Sequence, residues 1–200
     1  GAAGGDSGGG GVEDRAGGLT EAGARGRHRR PGRAYDGRTG ARSNPSKRTK
    51  RMPKTIETLL ADQGAQAVLA YLNARVPHRY TGIYKIRSDL VTSLYLHDKQ
   101  GELIPENIAI VPFEASICPF VLRDGWFRTD DSSADERFAT HPGRDYTISY
   151  HGVPLLNPSG VVAGTLCHFN FTAVPLPDDE FELLHRAAAL LQVKLAGVLG

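Results

Sequence analysis

The nucleophiles and metal ligands of this 200-residue chain are two cysteines, Cys118 and Cys167, and seven histidines. Two thiols give neither a disulfide framework nor a four-cysteine metal site. In a reducing compartment both are expected to be free. Cys167 and His168 together suggest a nucleophile and its base. Adjacent side chains on a strand point to opposite faces, however, so these two do not pair, and Cys167 reads as a small buried apolar residue. Cys118 precedes Pro119, a residue suited to the first position of a helix. A thiol at a helix N-terminus has a lowered pKa, so Cys118 is expected to be alkylated faster than Cys167; the plainer reading is that it packs beneath a loop. His78, His97, His141, His151, His168 and His185 show no metal-binding spacing, and each reads as a surface or hydrogen-bonded histidine. Asp130, Asp131, Asp135, Glu136 and Arg137, ahead of Phe138, read as a solvated helix start with local ion pairs. The competing reading places Asp131 or Arg137 at a pocket mouth.

The elements that must carry these residues follow from periodicity. Ile56, Leu59, Leu60, Val68, Leu69 and Leu72 recur at helical spacing, predicting a helix over 55–76 that Gly64 weakens and Pro77 stops. Residues 80–87 and 90–97 read as a hairpin split at Ser88-Asp89. Residues 98–114 give no signal beyond a turn. A short helix over 119–123, a strand over 126–129 and a small helix from Ser132 or Ser133 through Phe138 follow. Residues 147–156 and 161–171 form the clearest hairpin, joined by Asn157-Pro158-Ser159-Gly160. After Pro177, three acidic residues favour a helix start; Phe181, Leu184, Ala188, Leu191, Leu195 and Val198 mark one apolar stripe. Tight hairpins with flanking helices predict an antiparallel α+β fold.

Composition divides the chain at Met52, its only methionine. Residues 1–51 carry 12 Lys/Arg, 5 Asp/Glu and 14 of the 24 glycines; the rest carries 12 basic and 17 acidic residues. Such an arm has almost nothing apolar to bury and is expected to be disordered and to contribute no stability. Three readings of it stand open: an electrostatic contact to nucleic acid or an anionic surface, a linker, or translated sequence upstream of a true start at Met52. Basic clusters are too common in sequences to carry a nucleic-acid role. No apolar run reaches the ~18 residues needed to span a bilayer, and no secretory leader is recognisable. The domain, residues 52–200, is expected to be cytoplasmic, away from membranes.

Several segments resemble the GAF family. Gly152-Val153-Pro154-Leu155, Gly160 and Gly164-Thr165-Leu166-Cys167 are similar to its "GxPL" strand, turn glycine and "GTLC" strand. Ala115-Ser116-Ile117-Cys118 and Thr129-Asp130-Asp131 through Asp135-Glu136-Arg137-Phe138 resemble its "SFC" and "D…D-x-RF" segments, and order and spacing match over about 55–197. The resemblance implies a five- or six-stranded antiparallel sheet, terminal helices on one face and a ligand pocket on the other. It also implies dimerisation through the terminal helices, here those carrying Leu184, Leu191 and Leu195, and a separate or C-terminal signalling output domain. The Asn-Lys…Phe-x-x-x-Asp-Glu signature of cyclic-nucleotide-binding members is missing: there is no Asn-Lys pair, and Pro175 stands where Asp179-Glu180 requires Phe. Cys167-His168 copies the bilin-attachment dipeptide of phytochrome-like members, but on the last strand.

The implied function is a non-enzymatic sensing module that binds a small molecule, whose identity and cofactor class the sequence leaves open. The resemblance places the ligand beneath 118–122 and 131–138, against the strands of Tyr150 and His168. The pocket candidates are Cys118, Phe120, Asp131, Arg137, Phe138, Tyr150 and His168. A dimerising interaction module with a filled pocket is the second reading. The third is a thiol redox switch, or an enzyme like free methionine-R-sulfoxide reductase, using Cys118 and Cys167; that enzyme uses three cysteines, and its motif segments are missing here.

Overall fold

Helix formation begins with a cap: the Thr55 hydroxyl accepts a hydrogen bond from the Thr58 amide and opens α1, Ile56–Gln63. A computed structural model describes residues 55–200, so the Gly/Arg-rich arm and the boundary at Met52 lie outside the described residues. Gly64 takes φ 80° and ψ −174°, a region open to glycine and costly for other residues. The single helix expected over 55–76 is therefore two, α1 and α2, Ala65–Asn73.

Six strands follow: β1, Tyr80–Arg87; β2, Leu90–Asp98; β3, Ile110–Pro112; β4, Phe127–Thr129; β5, Ser149–Leu156; and β6, Val162–Asn170. They form one sheet in the order β3-β2-β1-β6-β5-β4, with every neighbouring pair antiparallel. The stretch without sequence signal supplies a one-turn helix α3, Glu106–Ala109, then β3 and a 3-10 turn, Phe113–Ala115. Helix α4, Cys118–Asp124, precedes β4. The helix expected from Ser132 or Ser133 is only a 3-10 turn, Glu136–Phe138, capped by Asp135. Both serines are engaged elsewhere: Ser132 donates to the Arg144 carbonyl, and Ser133 donates to Asp131.

The chain closes with α5, Asp178–Lys194, and α6, Ala196–Leu199. Helices α1, α2, α5 and α6 cover one face of the sheet, packing on Ile83, Val153, Leu155 and Leu166. Leu184, Leu191 and Leu195 are 0%, 0% and 5% exposed and belong to this core. They are not available as a dimer face: the apolar stripe of α5 is consumed by the sheet. Val193 is an exposed apolar residue on that helix. Among the described residues, no helix is long and apolar enough to cross a membrane.

Candidate ligand cavity

The opposite face of the sheet is built around a row of small residues. Register aligns Leu96, Gly82, Cys167, Gly152 and Phe127 across β2, β1, β6, β5 and β4. Two glycines flanking a cysteine leave a trough in the middle of the sheet. Two tyrosines lie down in it. A Cβ on Gly152 would come within 2.4 Å of the Tyr150 hydroxyl, and one on Gly82 within 2.8 Å of the Tyr84 ring. Each tyrosine sits two residues from its glycine, on the same face of the same strand.

Above this floor lies a cavity of about 640 Å³, within the range of small-molecule sites. Tyr84, Tyr150, Thr165, Cys167 and Phe169 form its floor; the segment from Asn107 to Cys118 and the loop from Pro142 to Thr147 form its walls. The Tyr84 hydroxyl donates to the Ile108 carbonyl at 2.8 Å and pins the α3 wall to the sheet. The Tyr150 hydroxyl lies beside Thr165 and Cys167, is buried, and completes no hydrogen bond of good geometry. Burial pushes both phenols well above their ordinary pKa, so both are neutral.

Of the residues that the sequence proposed for a pocket, Cys118 and Tyr150 line this cavity, as does Cys167. Phe120 and Phe138 stack on each other at 5.1 Å, with Phe127 beside them, in an aromatic cluster outside it. Asp131 accepts from Ser133, and Arg137 pairs with Asp135 while lying over the Phe127 ring; both border an open surface depression. His168 faces the helices, because it alternates with Cys167 along β6. The residues that sequence reasoning missed are Tyr84, Thr165, Phe169 and the two glycines. The visible signal was Tyr80-Thr81-Gly82-Ile83-Tyr84 and Tyr150-His151-Gly152, aromatics alternating with glycine on one strand face.

Cys118 does not have the environment the sequence suggested. It is the first residue of α4, and Pro119 is the second. Its amide is occupied by the Ser116 hydroxyl, its sulfur lies 3.6 Å from the Thr165 hydroxyl, and the side chain is buried. Burial dominates and pushes the thiol pKa up. Cys167 is likewise buried, beside the Gly82 carbonyl, and raised by desolvation. Both thiols are therefore expected to resist iodoacetamide in the native protein near neutral pH and to react only on unfolding, as mass-spectrometric site assignment will show. Fast native labelling of Cys118 would contradict this.

A second polar group occupies the helix side. His78 and His151 are fully buried and His168 is 1% exposed. His151 Nε2 meets Asp130 Oδ1 at 2.8 Å, and His151 Nδ1 meets His78 Nε2 at 3.1 Å. If the Asp130 carboxylate accepts from His151, then His151 Nδ1 accepts from His78, which leaves His78 Nδ1 an acceptor; that atom is buried without a partner. Thr81 accepts from Asn73 and is therefore free to donate to His168 Nδ1 at 2.7 Å. Desolvation lowers all three histidines, His78 to about 3, His151 to about 4 and His168 well below its ordinary value. All three are hydrogen-bonded, one of the two alternatives the sequence allowed, and none lies at the surface. Among the described residues no His/Cys/Asp/Glu group has metal-binding geometry.

No family model matches the chain, and no curated protein matches it. Solved structures do. The GAF domain of a phosphoenolpyruvate-protein phosphotransferase from Acinetobacter is 18% identical, covering 74% of this chain and 84% of that one, with a TM-score of 0.51. A phycocyanobilin-bound GAF domain from a cyanobacterial phytochrome is 14% identical, covering 72% and 86%, with a TM-score of 0.52. A free methionine-R-sulfoxide reductase from Neisseria meningitidis, in complex with its substrate, is 19% identical, covering 72% and 87%, with a TM-score of 0.55. The chain has the GAF fold, α+β with a six-stranded antiparallel sheet. Proteins sharing this fold thus include GAF domains of a phosphotransferase and a phytochrome as well as a methionine sulfoxide reductase.

Proposed function

From the GAF fold as premise, we propose that this domain senses a small organic molecule bound in the cavity over Tyr84 and Tyr150, and that it catalyses no reaction. The observation carrying this reading is the cavity of about 640 Å³ over Tyr84 and Tyr150, within the range of small-molecule sites. The glycines beneath the tyrosines support the same reading, since they keep the rings flat and the space above them open.

The test is native mass spectrometry of the full chain together with thermal melting against a small-molecule library. The wild type is expected to show a non-covalent mass surplus, or a rise of several degrees in Tm with at least one compound. Gly152→Ala forces the Tyr150 ring upward into the cavity and is expected to abolish either signal while the domain stays folded. A bare polypeptide mass and no stabilising compound would overturn the reading.

Thiol redox chemistry is a second reading. It is favoured by Cys118 and Cys167 both lining the cavity and by reductases with the same fold. Burial, which holds both thiols protonated, weighs against it. The alkylation experiment above separates the two.

A further inference from the structure

Building on the sensing reading, we infer that the cavity takes an organic molecule without an anionic group. Apolar contact with the floor and walls holds it. The first observation is the charge of the lining: no Lys, Arg or His contributes to it, and Asp145, its one carboxylate, is exposed at the mouth. The thiols of Cys118 and Cys167 and the phenols of Tyr84 and Tyr150 are all held neutral by burial.

The second observation concerns the backbone. Helix α4 begins at the cavity wall, but its first amides are taken: Cys118 N donates to the Ser116 hydroxyl, Pro119 has no N–H, and Phe120 N donates to the Ile117 carbonyl. No nest of free N–H groups stands there for a phosphate or carboxylate. An anion entering the cavity would lose its hydration, meet no cation, and face the Asp145 carboxylate on the way in.

The third observation is hydrogen-bond accounting. The Tyr84 hydroxyl is taken up by the Ile108 carbonyl, the Ser116 hydroxyl by the Phe113 carbonyl, and the Thr165 hydroxyl lies against the Cys118 sulfur. The Tyr150 hydroxyl is buried against Thr165 and Cys167 and is likewise withheld from the cavity. The complement of this floor is a neutral, largely apolar body.

An isosteric pair isolates the charge. Binding of 2-naphthamide and 2-naphthoate to the full chain is measured by calorimetry at pH 7.5, where the histidines stay neutral and the naphthoate is ionised. The amide is expected to bind and the carboxylate to bind at least about 100-fold more weakly, the penalty for desolvating an unpaired charge. Naphthoate binding as tightly as naphthamide overturns the inference and leaves the sensing reading standing. Binding of neither probe at millimolar concentration, with no mass surplus in native spectra, overturns both readings.

Discussion

Lowering the pH from 7 to 5 is expected to destabilise this domain steeply, by roughly 6 kcal/mol, with His78, His151 and His168 as the cause. All three are buried behind the sheet, and desolvation, the largest cause in each case, holds their folded pKa below 6.5, to about 3 for His78 and about 4 for His151. In the unfolded chain they titrate near the ordinary histidine value. As pH falls through that value, the unfolded state takes up protons that the folded state refuses. Stability is therefore complete above about pH 7 and falls until the folded pKa values are reached. The groups facing the cluster do not reverse this. Asp130 accepts from His151 and favours its charged form, while Lys99, Arg128 and the other imidazoles oppose protonation.

Three protons at ~1.4 kcal/mol per pH unit each amount to roughly 4 kcal/mol per unit. An ordinary stability of ~5–15 kcal/mol is thus exhausted roughly one to four units below the ordinary histidine value. Urea melts at pH 7, 6, 5.5 and 5 measure the slope directly. A slope near zero over this range would mean that the imidazoles charge within the folded protein. Asp98, held at about 2 by the Arg79 guanidinium, contributes in the same direction only as pH falls toward and below its unfolded value of 3.8, so it adds little to the slope between pH 7 and 5.

The architecture was legible wherever periodicity and turn chemistry agreed. The Asn157–Gly160 turn sets Leu156 opposite Val162, but a bulge between Leu155 and Leu156 shifts the register by one residue, and the shifted register places Tyr150 opposite Phe169, Gly152 opposite Cys167 and His151 opposite His168. Carried along the strands without the bulge, the turn would set Tyr150 opposite His168, the pairing the sequence placed in the pocket. The bulge turns His168 to the helices and brings Phe169 beside Tyr150 instead.

What stayed illegible has a different cause. Residues 98–114 combine a one-turn helix, a three-residue strand and a 3-10 turn, each too short to show a period. That segment nevertheless forms much of the cavity wall. The reactivity of Cys118 was inferred from its place at a helix start, a local effect. Burial, which depends on Thr165 and the whole sheet beneath, outweighs it. Local electrostatics was visible in the sequence; desolvation was not.

The same distinction decides α5. Its stripe of Phe181, Leu184, Ala188, Leu191 and Leu195 reads equally as core or as interface, because periodicity reports that a face is covered and not what covers it. The structure covers it with β5, β6 and α2. Leu191→Glu is therefore expected to unfold the domain outright. The substitution removes packing worth ~2–5 kcal/mol and buries a carboxylate without a partner, which together exhaust an ordinary stability. Leu191→Ala keeps only the first cost and is expected to remain folded with a Tm lowered by roughly 8–20 °C. Val193, two residues along and 75% exposed, is the control. Val193→Glu is expected to leave Tm within a few degrees of wild type, since an exposed substitution costs roughly 0.5 kcal/mol or less. Circular dichroism and sedimentation velocity on the three variants separate the possibilities. A folded Leu191→Glu protein with a halved mass would return the stripe to an interface and overturn its assignment to the core. Loss of the fold in Leu191→Glu beside an intact Val193→Glu fixes the buried face of α5 on the sheet, the face opposite the cavity.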